Sequence, residues 1–132
     1  MIFLDTSAIY ALADANDLHH SEASEMFALA FSKNEDILLH NYVLIESTAL
    51  LQRRLGLDVA LQFLDQMISI QTHWIDNEDH AQAVTLLRGR DSRGLSLVDC
   101  ASFVVMRRYG ISHAIAFDAD FEHEGFSIYS GS

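Results

Sequence analysis

Short apolar runs alternate along the chain with longer segments of helical periodicity. The runs of strand length lie at 1–5, 37–40, 70–75, 112–117 and 126–129. Apolar strands that are separated by helices indicate a parallel sheet whose two faces are both covered. The pattern therefore predicts an α/β fold in which ligands bind beyond the carboxyl ends of the strands.

The segments between these runs predict the helices. Helical patterns cover about 6–13, 18–33, 42–56, 57–69, 76–88 and 95–110. Gly56 and Gly110 follow two of them and are typical stop signals, and the helix from about 76 can be capped by Asp76 or Asn77. Residues 88–94 predict a loop, and residues 118–125 predict an acidic turn.

Length and composition indicate one domain that spans residues 1–132. The chain has 132 residues, of which 50% are hydrophobic, and it contains no proline. This composition excludes general disorder, and no apolar run reaches the length of a membrane span. The first residues, MIFLDTSA, lack the basic region of a signal peptide. Cys100 is the only cysteine, which excludes an intrachain disulfide, so we expect a cytoplasmic protein.

The charge balance is strongly acidic. The chain has 19 acidic against 8 basic residues, with a formal net charge of −11. This argues against binding nucleic acid by phosphate neutralisation, but a bound cation reverses the local sign of a carboxylate cluster. Three basic residues, Arg88, Arg90 and Arg93, lie close together and are candidates for guiding phosphate groups. A solvated surface loop is an equally good interpretation of the same segment.

The histidines do not predict a zinc site, because no HExxH motif or cysteine–histidine spacing is present. His40, His73 and His113 lie in or near predicted strands. We expect their ring nitrogens to be hydrogen-bonded at the edge of the core.

Two predicted strands end in carboxylates. Asp5 ends the first strand, Asp118 ends the fourth, and Asp120 follows two residues later. Since the carboxyl ends of parallel strands share one edge of the sheet, we expect these acids to lie near one another. Thr6 and Ser7 add two hydroxyls directly after Asp5. Helix capping by Asp5 or Thr6 is the alternative interpretation.

Two further acids lie on predicted helices. Glu46 has apolar or aromatic neighbours three and four residues away on both sides, so we expect a partly buried carboxylate, with Arg53 as an alternative ion-pair partner. Asp99 is the fourth residue of a Ser96-Leu-Val-Asp99 segment that matches a capping box. Its neighbour Phe103 places it at the edge of a core-facing helix, so a cap and a site residue both remain open.

Taken in order, these segments resemble the PIN-domain nuclease family. The resemblance rests on FLDTSAIYAL, YVLIES, LSLVDCASFVVMRRYG and AIAFDADF, and the size and the D…E…D…DxD order look like its VapC-type toxin subset. It implies a three-layer α/β/α fold with a five-stranded parallel sheet in the order 3-2-1-4-5. It also implies four catalytic, metal-binding acids: Asp5, Glu46, Asp99 and Asp118. The resemblance further implies that Asp120 is an additional ligand and that Thr6 or Ser7 orients Asp5 or water.

Oxygen-only ligands suit Mg²⁺ or Mn²⁺. The resemblance therefore implies a metal-dependent endoribonuclease that hydrolyses RNA by metal-activated water, and the toxin of a type II toxin–antitoxin pair. A homodimer is expected from the apolar pattern of residues 42–69 and from the habit of the family, and an antitoxin is a further expected partner. The alternatives are a free-standing nuclease and a non-catalytic PIN-like interaction module. A haloacid-dehalogenase-like phosphatase is disfavoured because Ser7 stands where its second aspartate is needed.

Overall fold

A parallel sheet forms the centre of the computed structural model, which describes residues 1–90 and 93–131. Within these residues the sheet has five strands in the order β3-β2-β1-β4-β5, and every neighbouring pair is parallel. The strands are β1 Ile2–Leu4, β2 Ile37–His40, β3 Gln71–His73, β4 His113–Ile115 and β5 Ser127–Ile128. The predicted fold class and strand order are confirmed.

Seven helices connect the strands within the described part of the chain. They are α1 Thr6–Ala13, α2 His20–Ser32, α3 Asn41–Leu55, α4 Leu57–Met67, α5 Asn77–Arg90, α6 Leu97–Tyr109 and α7 Asp120–His123. Asp76 caps α5, because its Oδ1 accepts the N–H of Asp79 at 2.8 Å.

Two local predictions were wrong. Residues 88–90 of the predicted loop belong to α5, which continues to Arg90; residues 91 and 92 lie outside the described part of the chain. The predicted acidic turn contains the single helical turn α7.

The strand order places helices on both faces of the sheet. The chain moves from β1 through β2 to β3 in one direction and then returns to β4 on the other side of β1. Right-handed crossovers in opposite directions cover opposite faces, which gives the three-layer arrangement. Accordingly α1 packs against α2 and α3, whereas α5 packs against α6. All three residues of β1 are buried, as a central strand requires.

The order reverses between β1 and β4, and their carboxyl ends form the switch point where such sheets bind ligands. The main-chain N–H of Asp5 donates to the carbonyl of Ile115 at 3.1 Å, so the residues just beyond β1 and β4 lie side by side. Among the described residues, no helix is both long and apolar enough to cross a membrane.

Candidate active site

Asp5 occupies the turn from β1 into α1 and is 3% exposed. Its Oδ2 accepts the N–H of Ser7 at 3.1 Å and the Ser7 hydroxyl at 2.6 Å, so the helix-cap interpretation is confirmed. Burial raises the pKa of Asp5 to about 6, and the negative charge of Asp118 adds to the rise. Asp5 therefore caps α1 and interacts electrostatically with Asp118, although it lies outside the group of three carboxylates described below.

Asp99 forms the predicted capping box. Its N–H donates to Ser96 Oγ at 3.0 Å, and its Oδ2 accepts the N–H of Ser96 at 3.2 Å. Its carboxyl group is nevertheless close to other acids. The pKa of Asp99 is raised to about 7, mainly by burial and in part by the negative charges of Asp5 and Asp118. The cap holds the side chain in one orientation at the switch point.

Three carboxylates meet at the carboxyl end of β4. One oxygen from each of Asp99, Asp118 and Asp120 lies within 4.8 Å of the others. The N–H of Asp120 donates to Asp118 Oδ1 at 2.9 Å, which fixes the turn between them. Burial and the adjacent Asp118 raise the pKa of Asp120. These contacts bring α6, the end of β4 and α7 together at one point.

The structure places Glu46 differently from the expectation. Val43, Ser47 and Leu51 are spaced four residues apart and form the buried face of α3, which leaves Glu46 exposed. The predicted partial burial is therefore wrong, and in the described part of the chain Glu46 has no ion pair with Arg53. Glu46 is also outside the three-carboxylate group.

The hydroxyls after Asp5 connect neighbouring elements. Ser7 Oγ accepts the N–H of Phe117 at 2.9 Å, which ties the end of β1 to the segment after β4. Ser47 Oγ donates to Thr6 Oγ1 at 3.3 Å, which ties α3 to the start of α1. This contact places Ser47, the residue after Glu46, against the segment that carries Asp5.

The three candidate RNA-binding arginines differ in their surroundings. Arg90 donates from Nε and Nη2 to both carboxylate oxygens of Glu124, so its guanidinium is already occupied. Arg88 and Arg93 are exposed and have no ion pair within the described residues. Sequence reasoning missed Glu124. The only available signal was a run of acids after Asp118, which does not indicate a partner 34 residues away.

The expected hydrogen bonding of the histidines is confirmed. His40 is fully buried and caps α3, because its Nδ1 accepts the N–H of Tyr42 at 3.1 Å. Its Nε2 lies 2.9 Å from Ser102 Oγ. His73 Nε2 lies 2.7 Å from Asp79 Oδ2, and His113 Nδ1 lies 2.8 Å from a neighbouring serine hydroxyl.

The donor set fits a divalent cation. All the converging ligand atoms are carboxylate oxygens, which Mg²⁺ and Mn²⁺ prefer. Burial and repulsion between neighbouring carboxylates raise the pKa values of Asp5, Asp99 and Asp120, so a nearby positive charge would stabilise their ionised forms. A cation among these oxygens would relieve the repulsion.

A parallel sheet in this order, with carboxylates gathered at its switch point, is the arrangement expected of a PIN domain. The chain belongs to the PIN-domain family, whose match covers residues 2–126. The particular relatives are toxins of the VapC type. The chain is 39% identical over 130 residues to the 23S rRNA-specific endonuclease VapC20 of Mycobacterium tuberculosis, in strain H37Rv and equally in strain CDC 1551. The match covers 96% of this chain and 95% of the relative.

A solved structure shows the same likeness. The crystal structure of Mycobacterium tuberculosis VapC20, described as a sarcin-ricin loop cleaving toxin, superimposes with a TM-score of 0.90 at 36% identity. The match covers 98% of both chains. The predicted membership of the PIN-domain family and its VapC-type subset is confirmed.

Proposed function

We propose that this chain is a divalent-metal-dependent endoribonuclease and the toxin of a type II toxin–antitoxin system. The observation that carries the proposal is the meeting of Asp99, Asp118 and Asp120 at the switch point of a PIN domain. The name of VapC20 supports RNA as the substrate and ribosomal RNA as the first one to test.

Asp99, Asp118 and Asp120 would hold Mg²⁺ or Mn²⁺, with Asp5 and Glu46 completing the acidic set. When bound, such a cation lowers the pKa of a coordinated water and stabilises negative charge on phosphate oxygens. The choice between the two metals rests on oxygen donors alone, and both are to be tested.

The chain's own residues would orient the acids for hydrolysis. Ser7 holds the Asp5 carboxylate through two hydrogen bonds, and Ser96 holds Asp99 through the capping box. Side chains fixed in this way lose little freedom when RNA binds, which is the condition for preorganised catalysis. We retain Glu46, which is exposed, as a further acid of the catalytic set.

Substrate approach requires local positive charge on an acidic protein. We assign Arg88 and Arg93, which are exposed, as the guides for RNA phosphates. Their contribution to RNA affinity would weaken with rising salt concentration, because basic side chains that contact phosphates release counterions.

The proposed assembly is a homodimer that also binds a cognate antitoxin. Four large apolar side chains between residues 42 and 69 are exposed and support an interface: Ile45, Leu57, Leu61 and Ile68. The proposed compartment is the cytoplasm, which suits a chain whose single cysteine is a buried free thiol.

Purified protein and an isolated 23S rRNA fragment test the function. We expect cleavage with Mg²⁺ or Mn²⁺, none with EDTA, and none with Asp118→Asn. Undiminished cleavage in EDTA, by protein shown to be free of contaminating nuclease, would overturn the metal mechanism. Metal binding without cleavage of any RNA would favour the non-catalytic interaction module instead.

Expression in a host cell separates a toxin from a free-standing nuclease. A toxin arrests growth when expressed alone, and co-expression of a small neighbouring reading frame restores growth. The Asp118→Asn variant is the matched control, because it keeps the fold and removes one proposed ligand. Unarrested growth despite cleavage in vitro would favour the free-standing nuclease.

A further inference from the structure

Glu124 is a buried carboxylate that joins three helices. It lies just beyond α7, and its side chain is 8% exposed. Arg90, the last residue of α5, donates to Oε2 from Nη2 at 3.1 Å and to Oε1 from Nε. Arg107, in the last turn of α6, donates from Nη2 to Oε2 at 3.0 Å and to the main-chain carbonyl of Glu124 at 3.2 Å.

The helix that Glu124 terminates carries Asp120. The N–H of Glu124 donates to the carbonyl of Asp120 at 3.0 Å, so the two residues stand at opposite ends of one helical turn. A single turn has no stability of its own in water and depends on tertiary contacts. The apolar contact is Phe121, whose ring lies 5.1 Å from that of Phe103 on α6. Glu124 supplies the polar contact between α7 and the same helix.

The docking of α7 on α6 sets the geometry of the three-carboxylate group. Asp99 lies in the first turn of α6, whereas Asp120 begins α7. Their separation therefore depends on how the two helices are held together. Hydrogen bonding to Arg90 and Arg107 lowers the pKa of Glu124, so it remains a charged acceptor for both guanidinium groups at neutral pH.

We propose that Glu124 is a positioning residue for the metal-binding acids, and that Arg90 acts with it rather than as a guide for RNA phosphates. The proposal rests on the proposed function, since it takes the three-carboxylate group as the metal site. It replaces the sequence-based role of Arg90 with one that the contacts of its guanidinium support.

Asp79 offers a matched control in the same protein. Its carboxylate is 3% exposed and accepts from Arg108 Nη1 at 2.8 Å, and it lies 2.7 Å from His73 Nε2. Like Glu124 it is a buried acid with an arginine of α6, but it lies in the first turn of α5, apart from α7. Removing Asp79 should therefore cost stability without moving Asp120.

Calorimetric titration with Mn²⁺ is the test. We expect Glu124→Ala to weaken Mn²⁺ binding about 10-fold, as loss of outer contacts to metal ligands does. The kcat for RNA should fall, whereas KM should change less than about twofold. Asp79→Ala should lower the melting temperature and keep the wild-type affinity for Mn²⁺. If Glu124→Ala does not fold, Glu124→Gln and Arg90→Ala are measured in its place, and both should weaken Mn²⁺ binding.

The double variant separates positioning from phosphate binding. Arg90→Ala should add nothing to the loss of Mn²⁺ affinity in the Glu124→Ala background, because the two residues act through one contact. A rise in KM for RNA on Arg90→Ala, with Mn²⁺ affinity unchanged, would restore the phosphate guide and overturn the proposal. Equal loss of affinity in the Asp79→Ala control would also overturn it. Wild-type protein that binds no Mn²⁺ would contradict the proposed function itself.

Discussion

The hydroxyl of Ser7 donates a hydrogen bond of 2.6 Å to Asp5 Oδ2. Ser7 Oγ also accepts the N–H of Phe117, so the serine side chain both orients the Asp5 carboxylate and joins the ends of two central strands. Ser7 therefore affects both the stability of the sheet and the ionisation of Asp5.

Ser7→Ala is expected to lower the free energy of unfolding by about 1–3 kcal/mol, because the Phe117 N–H loses its acceptor. The Ser7 hydrogen bonds lower the pKa of Asp5 against the effect of burial, so the variant should raise it further. Mn²⁺ affinity should then fall more at pH 6.5 than at pH 8. Urea unfolding and Mn²⁺ titration at both pH values measure these effects. Ser32→Ala is the control, since Ser32 Oγ donates to a carbonyl on the exposed surface. An equal loss of Mn²⁺ affinity at both pH values in Ser7→Ala would contradict the predicted rise in the pKa of Asp5.

Asp99→Asn is expected to abolish cleavage and to change stability with a sign that depends on pH. The pKa of Asp99 in the folded protein, about 7, lies above its ordinary value of 3.8. Between these values the folded protein holds a proton that the unfolded chain releases, so the contribution of Asp99 to stability falls as pH rises. At pH 8, without metal, the variant should be more stable by roughly 1 kcal/mol, because the repulsion is removed.

At pH 5 the carboxyl of Asp99 is protonated in wild type, and only the capping contact distinguishes the two proteins. The variant should then be equal or slightly less stable, since Asn keeps an acceptor for the Ser96 N–H. Thermal melts in EDTA from pH 5 to pH 8 measure the difference. Mg²⁺ should stabilise the variant less than wild type. A variant that melts lower at pH 8 and responds fully to Mg²⁺ would mean that Asp99 is only a cap.

The imidazole of His40 is expected to remain neutral at pH 5. Burial lowers its pKa to about 3, and Nδ1 is an acceptor for main-chain N–H groups, which places the proton on Nε2. Since its folded pKa lies below the unfolded value, this group's contribution to stability is complete above about pH 6.5 and is lost as pH falls toward 3. Nitrogen chemical shifts of the folded protein should show no titration of His40 between pH 8 and pH 5. The urea-unfolded chain is the reference, and a folded-state midpoint near 6.5 would contradict the assignment.

The isolated protein is expected to be a homodimer, with about twice the 14.8 kDa mass of the chain. Leu57, Leu61 and Ile68 are spaced four and seven residues apart along α4 and its end and are exposed, which is costly for a monomer. Light scattering at tens of micromolar measures the mass. Leu61→Asp should shift it toward the monomer, whereas Leu18→Asp, at an exposed position outside 42–69, should not. A wild-type particle of 14.8 kDa would contradict the prediction.

The sequence predicted the sheet well because apolar runs and helical periodicity are local signals. It could not choose between cap and site for Asp5 and Asp99, because a carboxylate at a helix start satisfies both patterns. The structure confirms both caps and brings Asp99 together with Asp118 and Asp120. It misjudged Glu46, since apolar neighbours indicate burial only if they face the core, and Ala49, one of the neighbours on which the expectation rested, is exposed. Glu124 and its two arginines could not be found in this way, because contacts between distant segments have no local pattern.

The central pairing of β1 with β4 brings together opposite ends of the chain. Phe3 lies in register with Ala114, and Asp118 follows Asp5 by 113 residues. Contacts at such separation form late, since a long loop must close first. A growing polypeptide therefore cannot assemble the acidic edge until nearly all of it has been synthesised. The proposed metal site therefore stays incomplete during translation of the chain, and a chain that terminates before Asp118 lacks two of the three carboxylates that meet there.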